Sequence, residues 1–130
     1  MRELLAVIVG ALVGTGLRFG LDTLIPHGDD EFPVSTLLIN IVGSFALGFL
    51  VARVWPTASA WLKAGLGPGL IGTFTTFSAV AVSVVALSHE DLLWLAAIYL
   101  VLSVTLGFLA AFVGIRLGSR RGRGVEKVTE

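Results

Sequence analysis

Four long apolar stretches separated by short polar breaks set the pattern of this chain, at about residues 4–25, 34–54, 64–87 and 92–117. A helix crossing the hydrocarbon core of a bilayer needs about 20 mostly apolar residues, at 1.5 Å rise each. Each stretch supplies them. The pattern predicts an all-α membrane protein whose four transmembrane helices form one domain over residues 1–117, with a basic tail over 118–130. The breaks carry turn and charge signals. Pro26-His27-Gly28-Asp29-Asp30-Glu31 is a polar loop opened by proline, Trp55-Pro56-Thr57 ends the second span, and Ser88-His89-Glu90-Asp91 separates the last two. Trp55, Trp61 and Trp94 fall near predicted span ends, where amphipathic indole rings are favoured.

Composition agrees: 55% of residues are hydrophobic and 14% charged, against roughly 25% charged in an ordinary soluble domain. With no cysteine, disulfides and thiolate metal sites are excluded. The first stretch is not read as a signal peptide, because only Arg2 precedes it, no small-residue cleavage site follows it, and three more spans come after. The formal net charge of zero hides a strong segregation. Arg2, Arg53, Lys63, Arg116, Arg120, Arg121, Arg123 and Lys127, eight of the nine Lys and Arg, fall on one side of the membrane, and the two opposite loops hold none. The positive-inside rule then places both termini in the cytoplasm of a multi-pass cell-membrane protein. The tail reads as a solvated basic extension rather than a specific lipid-binding element, and it is too short to argue for nucleic acid. His27 and His89 stand alone in loops, and there is neither a nucleophile–base pair nor a phosphate-cradling loop. No enzyme is expected.

Polar groups at membrane depth are costly, so each needs a reason. Arg18 and Asp22, four apart in the first span, share a helical face and read as a structural pair. Asn40 sits mid-span among Leu37, Leu38, Ile39, Ile41 and Val42. Its amide has two N–H donors, suited to an anion; interhelical glue worth about 0.6–2 kcal/mol explains it equally well. The third span contains Gly65, Gly67, Pro68, Gly69 and Gly72, followed by Thr73, Thr75, Thr76 and Ser78. Such a run does not sustain a continuous helix, so the third helix is expected to break mid-span. Non-helical backbone at that depth is tolerated only when buried in protein or lining a wet cavity, and carbonyls freed there can hold a cation. A merely kinked packing helix explains the glycines but not the hydroxyls. Tyr99 and Ser103, four apart, form a possible polar track on the fourth span, although Ser and Thr commonly bond their own backbone. Gly10/Gly14 and Gly16/Gly20 read as close-approach pairs between helices.

Three segments together resemble the fluoride channel family (Fluc, also called CrcB). They are Gly10-Ala11-Leu12-Val13-Gly14-Thr15-Gly16-Leu17-Arg18-Phe19, then Ser35 to Gly48 around Asn40-Ile41-Val42-Gly43-Ser44, then Gly72-Thr73-Phe74-Thr75-Thr76-Phe77-Ser78. The resemblance covers nearly the whole chain and implies four helices per subunit, with two subunits packed antiparallel. It implies that Asn40 donates hydrogen bonds to fluoride and that Phe77 presents a ring edge to the ion path, with the Thr76 and Ser78 hydroxyls beside it. It implies that the backbone carbonyls of Gly72 and Thr75 hold a structural Na+, that Tyr99 and Ser103 begin a polar track, and that Arg18 is a structural arginine. The chain departs from the family at Val80, where a second phenylalanine is usual, and at Gly107, where a further hydroxyl would continue the track.

The function expected from this resemblance is passive export of fluoride by a channel subunit, which lowers the ion's cytoplasmic concentration and toxicity. A small proton-coupled multidrug exporter is the alternative, but it needs an embedded carboxylate, and the only candidate, Asp22, lies near a span end beside Arg18. A non-conducting assembly partner is the third possibility. The one-sided charge count fixes a single orientation, so the expected antiparallel partner is an oppositely inserted paralogue, giving a heterodimer.

Overall fold

The structure, a computed structural model, describes residues 1–120. Helix α1 covers Arg2–Leu24 and α2 covers Val34–Arg53. The third span is composite: α3 (Ala60–Ala64), a π-helical segment (Gly65–Ile71), α4 (Gly72–Phe74) and α5 (Ser78–His89). Helix α6 covers Leu93–Arg120. Four spans, at mean hydropathy 2.0 to 2.4, are long and apolar enough to cross a membrane, and the described residues contain no strand. Their apolar side chains face outward: Leu12, Phe19 and Phe108 are all more than 70% exposed. Apolar surface on this scale is a liability in water and is at home in lipid.

Two helices are longer than the hydropathy pattern predicts. The third span starts at Ala60, where Ser59 is still extended, and α6 continues through Gly118 to Arg120, three positions assigned to the tail from sequence. Gly118 explains the extension, because it lies against Ala52, Phe49 and Arg53 and so packs the last turn of α6 on α2. The remainder of the predicted basic tail, residues 121–130, lies outside the described residues.

Neighbours in sequence are not neighbours in the bundle. Helix α2 packs chiefly on α6, α1 on the first half of the third span, and α5 on α6, while α1 and α2 scarcely touch. Glycines set these contacts. A Cβ at Gly10 would overlap the Gly65 carbonyl, and one at Gly14 would overlap the Leu70 carbonyl and the Thr73 hydroxyl. Gly48 and Gly114 meet α6 and α2 backbone in the same way. Gly16 and Gly20 face open space, with nothing within 4 Å, so of the two pairs read from sequence only Gly10/Gly14 brings helices of this chain together.

The first half of the third span widens where Pro68 removes an amide that an α-helix would use. The segment closes with longer i→i−5 bonds, the last from the Gly72 amide to the Gly67 carbonyl. At the end of the bundle that holds the acidic loops, Val80, Leu87, Ala96 and Tyr99 form a buried core. The Phe32 ring meets Tyr99 edge-on at 5.4 Å and 88°, a favourable aromatic geometry.

Candidate functional site

Helical backbone stops at Phe74 and resumes at Ser78, and between them Thr75 is extended, with φ −78° and ψ 156°. Peptide groups released at this depth have no water to turn to and must find partners in the protein. Two side chains supply them. Asn40, from the middle of α2, clamps the backbone of Thr76: its Nδ2 donates to the Thr76 carbonyl at 2.8 Å, and its Oδ1 accepts from the Thr76 amide at 2.8 Å. Both bonds together fix which way the carboxamide points, because a flip would set donor against donor and acceptor against acceptor. One Asn40 N–H remains for a further partner. The Thr76 hydroxyl then accepts from the Ala79 amide at 3.1 Å and lies 3.0 Å from the Ser78 hydroxyl, capping the start of α5.

These bonds have a consequence one turn back. In a continuous α-helix the amides of Thr76 and Ala79 would close on the carbonyls of Gly72 and Thr75. Here both amides donate to side chains instead, which leaves those two carbonyls free of their helical partners. The other threonines stay within the scaffold. Thr75 Oγ1 donates to the Ile71 carbonyl at 2.9 Å, and Thr73 Oγ1 reaches Gly69 of its own turn at 2.7 Å and Ala11 of α1 at 3.2 Å.

A cavity of about 420 Å³ opens beside the break, and Asn40, Ser44, Gly72, Thr75, Thr76, Phe77, Val80 and Ser103 are among its lining residues. It carries no charged side chain. Its polar lining residues are Asn40, Ser44, Thr75, Thr76 and Ser103. Among the described residues no group of three or more His, Asp or Glu is placed to hold a metal.

The structure thus gathers Asn40, Gly72, Thr75, Thr76, Phe77 and Ser103 around one space, with Ser78 bonded to Thr76 just outside the lining. Phe77 is 75% exposed, so its ring projects from the break without packing on its own chain. Tyr99 is buried rather than lining the cavity, and Val80 lies beside it in the core at 3% exposure. Arg18 is half-buried on α1 and Asp22 is exposed, and neither lines the cavity. The sequence reading named Tyr99 and Ser103 but missed the burial of Ser35 and Thr36. Tyr99, Ser103 and Ser35 have buried hydroxyl oxygens with no hydrogen-bond partner among the described residues. Ser35 and Thr36 were visible, but a span end is an ordinary place for polar residues and gave no signal of burial.

Residues 5–115 match the family described as CrcB-like protein, Camphor Resistance (CrcB). The chain is 41% identical over 123 residues to the fluoride-specific ion channel FluC 2 of Halalkalibacterium halodurans, covering 92% of this chain and 88% of the relative. It is 37% identical over 126 residues to FluC 2 of Ligilactobacillus salivarius, covering 95% and 90%. It is 38% identical over 115 residues to the fluoride-specific ion channel FluC of Idiomarina loihiensis, covering 87% and 89%. With matches of this extent joined to four membrane-crossing helices, the chain belongs to the CrcB family of membrane proteins, whose matched relatives are named as channels and not as enzymes.

Proposed function

We propose that this chain is a subunit of a fluoride-specific ion channel through which fluoride leaves the cytoplasm passively. The observation that carries the reading is the uncharged cavity at the helix break, with Asn40, which keeps one N–H to donate, and Thr76 among its lining residues. Fluoride is small and strongly hydrated, and donors of this kind replace its water without trapping it as a cation would. A membrane potential supplies about 2.3 kcal/mol per charge per 100 mV, enough to drive an anion out of a negative interior with no coupled proton. The exporter alternative loses its requirement, since the cavity contains no carboxylate and Asp22 is exposed on α1.

The finer assembly belongs to the same reading. The working unit is an antiparallel dimer, which would cover the exposed Phe77 ring. Its two orientations come from two paralogues, as the one-sided distribution of Lys and Arg favours. Two of the relatives carry the number 2 in their names, as members of a numbered series do. The third helix is broken for a purpose: the released carbonyls of Gly72 and Thr75 are suited to a structural Na+, which supplies fixed positive charge near the path and joins the two breaks at the dimer centre. Carbonyl oxygens with no acidic side chain fit a monovalent ion better than a divalent one.

Fluoride efflux from loaded liposomes, followed with a fluoride electrode, tests the pore. Asn40→Asp replaces the donors with a carboxylate that repels both the anion and the Thr76 carbonyl, and flux is expected to fall at least about tenfold, the equivalent of 1.4 kcal/mol. Asp22→Asn is expected to conduct normally. Normal flux through Asn40→Asp would leave Asn40 as interhelical glue alone.

A further inference from the structure

At the cation-rich end of the bundle, α1 and α3 frame two adjoining cavities outside the ion path. One, of about 500 Å³, is mainly apolar and runs along Leu5, Ala6 and Val9; the other, of about 480 Å³, is more polar and includes Glu3. Arg2 and Trp61 line both, so the cavities meet at a guanidinium and an indole. Trp61 is 47% exposed, in the half-buried state that suits an indole at a membrane surface. The site thus divides as a phospholipid divides, into an anion-binding head region and an apolar channel leading toward the bilayer interior.

We propose that this end of α1 binds one anionic phospholipid whose headgroup carries hydroxyls, as a phosphatidylglycerol does. Arg2 takes the phosphate through its planar, bidentate donors. Glu3 accepts from a headgroup hydroxyl, and an acyl chain occupies the groove of Leu5, Ala6 and Val9. Charge selects this occupant: Arg2, Arg53, Lys63 and Arg116 all lie toward this end, and the loops at the other end have no Lys or Arg. A free phosphate would use only the polar half. A zwitterionic lipid would fill the groove but set a cationic headgroup among cations.

Tryptophan quenching by lipids brominated along their chains tests the site. The full chain carrying Trp55→Phe and Trp94→Phe retains Trp61 as its sole indole, since the sequence has three tryptophans. Trp55→Phe removes an indole N–H that has no partner among the described residues, so the loss strands no acceptor. In vesicles of mixed lipid, brominated phosphatidylglycerol is expected to associate with Trp61 roughly fivefold more strongly than brominated phosphatidylcholine, the ratio that about 1 kcal/mol per basic residue gives. Arg2→Gln is expected to remove that preference and Arg2→Lys to keep most of it. Soluble glycerol phosphate should not displace the lipid. Equal quenching by both lipids, as when a second subunit covers the groove, would overturn the proposal; so would a preference that survives Arg2→Gln, or displacement by glycerol phosphate. Fluoride flux is not a readout here, so the site stands or falls apart from the channel reading.

Discussion

Gly14 and Gly16 look alike in sequence, two residues apart on one helix, but their surroundings are opposite. A methyl group at Gly14 meets the Leu70 carbonyl and the Thr73 hydroxyl, whereas one at Gly16 meets nothing within 4 Å. Gly14→Ala should therefore pry α1 from the third span and cost about 1–3 kcal/mol by overpacking. Gly16→Ala should be neutral, or should weaken only the dimer if that face meets a partner. Thermal unfolding of both variants in detergent checks the difference, and equal transitions would show that α1 is not seated as described. The sequence revealed that small residues matter here but not which ones, because helical spacing names a face and cannot say what lies across from it. Asn40 has the same limit. An isolated amide mid-span demands a partner, and this was legible; that the partner is the backbone of Thr76, 36 residues away, was not. Val80 read as a missing ring, and the structure adds that the position is in a buried core beside Tyr99.

At the scale of elements, the interruption between Phe74 and Ser78 is sustained by bonds from outside it. Asn40 holds the Thr76 peptide, and the Thr76 hydroxyl caps Ala79. The run of glycines and hydroxyls marked the segment as unfit for an ordinary helix. The π-helical turn at Gly65–Ile71 was not foreseen, since hydropathy cannot distinguish i→i−4 from i→i−5 bonding. If the freed Gly72 and Thr75 carbonyls hold Na+, the ion binds the folded protein alone and stabilises it by mass action, by about 2.7 kcal/mol at a hundredfold excess over its Kd. Protein prepared throughout in choline or K+ in place of Na+ is thus expected to unfold several degrees lower, and returning Na+ should restore the transition. Identical transitions in all three salts would remove sodium from the proposal.

Over the whole molecule the number of spans was legible from hydropathy, because lipid imposes one requirement on every helix, but the full extent of the third and fourth was not. The pairing of those helices was not, since all four present similar apolar faces. Charge asymmetry carries the prediction at this scale. If a single orientation is fixed, this chain alone should rescue a fluoride-sensitive host poorly, coexpression with an oppositely biased paralogue should rescue it fully, and a C-terminal tag should be found on one membrane face only. Full rescue by this chain alone, with tags on both faces, would establish a homodimer. The order of packing also bears on biogenesis. Because α1 leans on the third span and α2 on α6, α1 and α2 emerge from the ribosome before either partner and have almost nothing to hold each other. They must wait in the lipid, small-residue faces bare, until their partners are synthesised. Tertiary assembly is therefore post-insertional and comes late, and a stalled chain ending after its second span would be a natural target for membrane quality control.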